Sequence, residues 1–276
     1  MSQQPVKSSS TAWYDSPLYY DMVYADYTKP ETRFIEAVVR KHAPKLKAPL
    51  SILEPACGSG RMLESLARRG HRVQGFDCNS HQIRFAKHRL KTAHLKGKIW
   101  RDSLESFSIP KGESYDVVHC LVSTFKYVLT EKGAVSSLQR MAKALRPGGL
   151  CLIGLHLTDY RNSKLDHERW IGRKTGIRVV SDTWSAPADA KRRREAMRTV
   201  MRITKKGKTR VEETLWDFRT YSPKEMKQLI QKVPSLRCVA CYDFHYDLES
   251  RRRLHETYSD IILILQKMGS DTTSVV

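Results

Sequence analysis

The segment that most constrains this chain is Leu53-Glu54-Pro55-Ala56-Cys57-Gly58-Ser59-Gly60. It separates a short apolar run, Ser51 to Glu54, from a helix-patterned stretch, Arg61 to Arg69, closed by Gly70. Gly58 and Gly60 permit a tight turn and the close approach of a ligand to the backbone. In a doubly wound α/β sheet, ligands sit at such strand-to-helix junctions. The loop lacks the third glycine of the dinucleotide fingerprint, with Leu63 in that place, and it lacks the lysine of a phosphate-binding loop. Glu54 would repel a phosphate and suits a cationic or amino-bearing ligand. Asp77 ends the next strand, where a carboxylate can accept ribose hydroxyls.

The neighbouring pattern alternates strand and helix. A helix is expected from Lys29 or Pro30, with Phe34, Ile35, Val38 and Val39 on one face and Pro44 and Pro49 beyond it. Strands are expected at Arg72 to Asp77, Lys98 to Trp100, Tyr115 to Cys120 and Leu150 to Leu157. Helices are expected at His81 to Thr92, capped by Ser80, and at Glu131 to Leu145, with a turn at Arg146-Pro147-Gly148-Gly149. That order implies a parallel sheet covered on both faces. From Arg178 to Tyr221 the pattern becomes extended, with a turn at Lys206-Gly207, and reads as an antiparallel β insertion over 165–221. A helix opening at Ser222-Pro223 and strands at Arg237 to Phe244 and Ser259 to Gln266 follow. Residues 1–28 read as a tail and possible lid, and 29–276 as the main domain.

The net charge of +20, from 49 basic and 29 acidic residues, raises nucleic acid as a possible but not favoured partner. No apolar run is long enough to span a bilayer, and the polar start lacks the core of a signal peptide, so a cytoplasmic, membrane-free protein is expected. The six cysteines fit reduced thiols. Cys238 and Cys241 form a C-x-x-C inside a strand-like run, without the helix a redox motif needs or the second ligand pair a zinc site needs, so no metal is expected.

Glu54-Pro55-Ala56-Cys57-Gly58-Ser59-Gly60-Arg61 resembles the first motif of class I S-adenosylmethionine-dependent methyltransferases. Asp77 matches the ribose-binding acid, and Asp102-Ser103-Leu104 resembles the adenine-contacting segment. Tyr115-Asp116-Val117-Val118 resembles the fourth-strand motif, and Leu145-Arg146-Pro147-Gly148-Gly149 the turn before strand five. Ala56 departs from the commoner glycine. The resemblance covers roughly residues 30 to 157 well. It implies a Rossmann-like, doubly wound, seven-stranded sheet with the last strand antiparallel, and S-adenosylmethionine as cofactor. It also implies cofactor contacts from Glu54, Ala56, Cys57, Gly58, Ser59, Gly60, Asp77, Asp102, Ser103, Leu104, Leu121 and Tyr20. Tyr14, Tyr19 and Tyr20 would form an N-terminal lid, as in related small-molecule enzymes.

The acceptor is less defined. Ser123, Thr124, Phe125, Tyr127, His156 and Asp159 fall at the carboxyl edge of the expected sheet, and His156 is the candidate base. Arg169, Trp170 and Trp184 are possible acceptor contacts. Neither the Asn/Asp-Pro-Pro-Tyr segment of amino-methylating DNA enzymes nor a Pro-Cys nucleophile is present. The expectation is transfer to an O or N atom of a small molecule. An RNA or protein methyltransferase and a non-catalytic cofactor-binding protein stay open.

Overall fold

The computed structural model describes residues 8–9, 13–255 and 259–269. In chain order its elements are β1 (Ser8–Ser9), α1 (Pro17–Tyr24), α2 (Thr28–His42), β2 (Ser51–Pro55), α3 (Arg61–Arg68), β3 (Arg72–Asp77) and α4 (Ser80–Thr92). Then come β4 (Gly97–Arg101), β5 (Tyr115–Cys120), α5 (Glu131–Ala144), β6 (Leu145–His156), β7 (Asp166–Lys174), β8 (Ile177–Ser185), β9 (Arg194–Lys205) and β10 (Lys208–Arg219). The chain closes with α6 (Pro223–Gln231), β11 (Leu236–Tyr242) and β12 (Asp260–Lys267).

Seven strands form one sheet in the order β11-β12-β6-β5-β2-β3-β4. The pairs β2–β3, β2–β5, β3–β4 and β5–β6 are parallel, and only β12 runs against its neighbours. This is the expected doubly wound sheet with a reversed last strand. Its central strand β5 is buried along its whole length, as a strand covered on both faces must be. One apolar cluster packs β5 and β6 beneath α5 and α6, around Val118, Leu138, Met141 and Leu229. The other packs the opposite face beneath α2, α3 and α4, around Ile35, Val38, Leu63 and Ala86.

Local chemistry sets the element ends. Ser222 and Glu225 form a reciprocal capping box at α6, and Thr130 accepts the Gly133 amide at α5. At α4 the cap is Asn79 rather than Ser80: the Asn79 side chain accepts from the His81 and Gln82 amides, and Ser80 is already helical. The segment Arg146 to Gly149 is assigned to β6 rather than standing as a separate turn, although the ladder to β5 shifts register between Tyr115 and Val117.

Strands β7 to β10 make a second, antiparallel sheet, with β1 pairing parallel on β10. Both β7 and α1 lie where the sequence showed no clear periodicity. One face of this sheet holds Val179, Met201 and Ile203, which pack with Trp13, Met22 and Val23 of the N-terminal segment. Trp13 stacks on Trp216 of β10 with ring centroids 5.4 Å apart. The N-terminal segment therefore lies between the two sheets. No helix among the described residues is long and apolar enough to cross a membrane.

Candidate active site

The loop after β2 is built by backbone geometry. Ala56, Gly58 and Gly60 all have positive φ, at 53°, 51° and 72°. A Cβ on Gly60 would come within 2.9 Å of Ala86 Cβ, so glycine lets α3 and α4 approach. A Cβ on Gly58 would be in ordinary contact with Gln82 Oε1 at 3.8 Å, so no close neighbour crowds this residue. Asp77, at the end of β3, points into the same loop. Its Oδ2 accepts the Gly58 amide at 2.9 Å and its Oδ1 the Asn79 amide at 2.8 Å. Burial pushes its carboxyl up, and the two amides oppose that.

Glu54 lies beneath the loop with Oε2 buried and without a hydrogen-bond partner. Burial pushes this carboxyl well above its ordinary value, and Arg61 pulls the other way. Arg61 is itself held by Glu31 and, at 3.2 Å, by Thr28 Oγ1. Gln82 Oε1 is a second buried acceptor without a partner. Cys57 is buried, its thiol pushed well up by burial, and its amide bonds the Phe76 carbonyl at 2.9 Å. It packs in the apolar cluster beneath α2, α3 and α4.

The remaining loop positions are engaged locally. Ser59 donates to Asp21 of α1 at 2.7 Å. The Asp102 amide bonds the Asp77 carbonyl, which sets the two acids side by side, but the Asp102 carboxylate accepts the Ser103 and Ser108 amides. Ser103 Oγ meets Ser106 Oγ at 2.7 Å, and Leu104 is buried in the core with Phe76 and Phe107. Leu121 follows β5, is buried, and lies against Gly154.

The N-terminal segment covers this loop. Asp21 bonds both Ser59 and Arg89, Asp15 accepts from Asn79 at 2.8 Å, and Gln82 donates to the Tyr14 carbonyl at 2.6 Å. Tyr14 and Tyr20 line the cavity beyond, whereas Tyr19 lies outside it under Arg210. Burial pushes the Tyr20 hydroxyl up to about 12, so it stays a neutral hydrogen-bonding group.

That cavity, of about 450 Å³, lies between the carboxyl edge of the first sheet, the N-terminal segment and the second sheet. Its walls are aromatic, with Trp13, Tyr24, Tyr127, Trp170, Trp216 and Phe218 among them. Its charge is opposite to that of the chain. Six carboxylates line it: Glu31, Asp159 and Glu195 are ion-paired with Arg61, Arg161 and Lys126, and Asp166, Glu168 and Asp260 stand beside one lining lysine, Lys164, and two histidines.

At its floor a polar cluster surrounds His156. Ser123 Oγ lies 3.0 Å from Nδ1, and Glu195 Oε2 lies 3.0 Å from Nε2. Lys126 Nζ also contacts Nε2, donates to Glu195 at 2.8 Å, and sits 5.1 Å from the centre of the Phe218 ring. Lys126 is fully buried, and burial lowers its ammonium to about 8 despite Glu195. The Glu195 carboxyl is held down at about 2: burial opposes this, and His156 and Lys126 outweigh burial. Val122 and Ser123 both have positive φ, 55° and 58°, a strained bend that turns Ser123 toward His156.

Sequence reasoning named His156 and Ser123 but missed Lys126 and Glu195. Lys126 lies among the residues named after β5, and no sequence signal distinguishes it. Glu195 comes from β9, and only the packing of the second sheet brings it here. Of the residues named as acceptor contacts, Trp170 lines the cavity. Arg169 instead pairs with Asp182 at 2.6 Å, and Trp184 stacks on His167. Among the described residues no His/Cys/Asp/Glu cluster could hold a metal.

The seven-stranded doubly wound sheet with its reversed strand β12 has the class I methyltransferase fold. Residues 52–149 match the methyltransferase domain family. A curated relative, dTDP-3-amino-3,6-dideoxy-alpha-D-glucopyranose N,N-dimethyltransferase of Streptomyces fradiae, is 29% identical over 138 residues, 49% of this chain and 50% of that protein. The chain thus spans about half the length of this relative, and less of several others. A methyltransferase structure from Clostridium acetobutylicum aligns with a TM-score of 0.72 at 15% identity, over 92% of this chain and 98% of that one. CalS10, an amino pentose methyltransferase from Micromonospora echinaspora, aligns at 0.69 and 16%, over 95% and 99%.

Proposed function

We propose that this chain transfers a methyl group from S-adenosylmethionine to an amine nitrogen of a small molecule. The cofactor reading rests on the loop geometry. The buried Glu54 Oε2 lacks a partner, Gly58 has no neighbour closer than ordinary contact with Gln82 Oε1, and Asp77 reaches the same loop. These groups suit, in turn, a cationic amino group, a ligand backbone lying close, and ribose hydroxyls. S-adenosylmethionine supplies an activated methyl group on a sulfonium. Tyr14, Tyr20 and their aromatic neighbours offer ring faces to a cation.

One observation carries the acceptor reading: a chain with net charge +20 encloses a cavity lined by six carboxylates. An anionic acceptor such as an RNA backbone would be repelled there, whereas a protonated amine would be drawn in. The Streptomyces fradiae relative, named for an amino sugar, is consistent with this. An ammonium has no lone pair for displacement, so a base must take its proton first. His156 is placed for that task, with Ser123 on one ring nitrogen and Glu195 on the other. Residues 165–221 form, in this reading, an inserted unit that walls the acceptor side.

Incubation with methyl-labelled S-adenosylmethionine and a fractionated cell extract tests the proposal. Label in basic metabolites supports it. Label confined to RNA or protein refutes it.

A further inference from the structure

We propose that Cys238 and Cys241 form a redox-reactive dithiol that accepts an internal disulfide from small-molecule disulfides. Side chains three residues apart in an unbroken strand face opposite sides of the sheet. Strand β11 is not unbroken. Cys238 pairs with Leu265 and Ala240 with the adjacent Ile264, so Val239 is the extra residue of a bulge. The bulge resets the alternation and brings both cysteines to one side, with their sulfurs 3.8 Å apart.

The two thiols differ in the way an exchange reaction requires. Cys238 is exposed on a strand at the outer edge of the seven-stranded sheet, while Cys241 is buried. The hydrogen bond with Cys241 holds the Cys238 thiol below its ordinary value, with nearby Arg251 contributing. Arg251 is fixed over the bulge by donating to the Val239 carbonyl at 2.7 Å. The accessible thiol is thus the attacking one and the shielded thiol the resolving one.

The reaction balances without a cofactor. The Cys238 thiolate attacks one sulfur of a disulfide such as oxidised glutathione, forming a mixed disulfide and releasing one glutathione thiolate. Cys241 then gives up its proton and attacks the Cys238 sulfur, which forms the internal disulfide and expels the second glutathione. The protein loses two electrons and two hydrogens, and oxidised glutathione is reduced to two molecules of glutathione. The other cysteines serve as internal controls. Cys57, Cys120 and Cys151 are buried with thiols pushed up, and Cys78 is exposed with no thiol beside it among the described residues.

The test incubates the full chain with excess oxidised glutathione, alkylates the remaining thiols and reads intact mass and peptide maps. The expected result is a loss of two hydrogens localised to the peptide holding both cysteines, reversed by dithiothreitol. Cys241→Ser should instead trap one glutathione on Cys238, and Cys238→Ser should leave Cys241 unmodified. The proposal is overturned if the native chain alkylates at both positions, or if it retains a stable glutathione on Cys238 beside a free Cys241.

Discussion

Replacing Glu195 with glutamine probes whether the buried cluster at His156 exists for stability or for chemistry. The drop of the Glu195 carboxyl from its ordinary 4.5 to about 2 represents roughly 3 kcal/mol of stabilisation, at about 1.4 kcal/mol per tenfold change. The drop of Lys126 from 10.5 to about 8 represents a cost of about the same size, roughly 3 kcal/mol at neutral pH. Both shifts contain the same Lys126–Glu195 attraction, so the pair offsets its own burial rather than adding net stability, as expected for an ion pair taken out of water. Glu195→Gln alone leaves the Lys126 ammonium buried without its counter-ion and should destabilise the chain by roughly 3 kcal/mol at pH 7. The double variant Lys126→Met with Glu195→Gln removes both charges and should recover most of that, ending within about 1 kcal/mol of the native chain. Both variants should lose methyl transfer by at least tenfold, because His156 Nε2 loses the carboxylate that lies 3.0 Å from it. Urea unfolding with parallel initial rates measures both quantities. A double variant as unstable as the single would refute the cancellation, and full activity in the double would refute a catalytic purpose for the cluster.

Because Glu195 is depressed in the fold, its contribution should be present above pH 4.5 and fade as pH falls toward 2, an effect the Glu195→Gln chain should lack in acid unfolding curves. Glu54 behaves oppositely: its raised carboxyl favours the fold at low pH and loses that contribution as pH rises through its elevated value. Glu54→Gln should therefore raise the melting temperature of the ligand-free chain at neutral pH while weakening S-adenosylmethionine, and a lowered melting temperature would contradict the burial argument. Asp21→Ala removes the contacts to Ser59 and Arg89, so it should raise the KM for the cofactor several-fold with little change in global stability; an unchanged KM would separate the N-terminal segment from the cofactor loop.

The glycine loop after β2 could be read from sequence as a strand-to-helix turn because its constraints are local. A strand, two glycines and an acid at the next strand end are all sequence-adjacent facts, and the structure joins them through the Gly58–Asp77 bond. The doubly wound sheet was legible for the same reason, since each strand and helix carries its own period. Strand β7 was not legible: Asp166 to Lys174 is mostly exposed and charged, and only pairing with β8 makes it a strand. Helix α1 was hidden because its tyrosines do not form one apolar stripe; they divide between the cavity and the second sheet. The polar cluster at His156 escaped because Lys126 and Glu195 lie 69 residues apart and meet only through tertiary packing. The acidic character of the cavity was masked by the overall positive charge, much of which lies elsewhere. Arg193 and Arg219, for example, pair with Glu131, outside the cavity lining.

Titration calorimetry of S-adenosylmethionine into the native chain, Gly58→Val and Asp77→Ala tests the glycine-loop assignment most directly. The native chain should bind one equivalent. Asp77→Ala should bind more weakly by about 1.5–3 kcal/mol, the range for charged hydrogen bonds. Gly58→Val should not bind, while its circular dichroism stays native. Equal affinity in all three, or no binding to the native chain, would contradict the account.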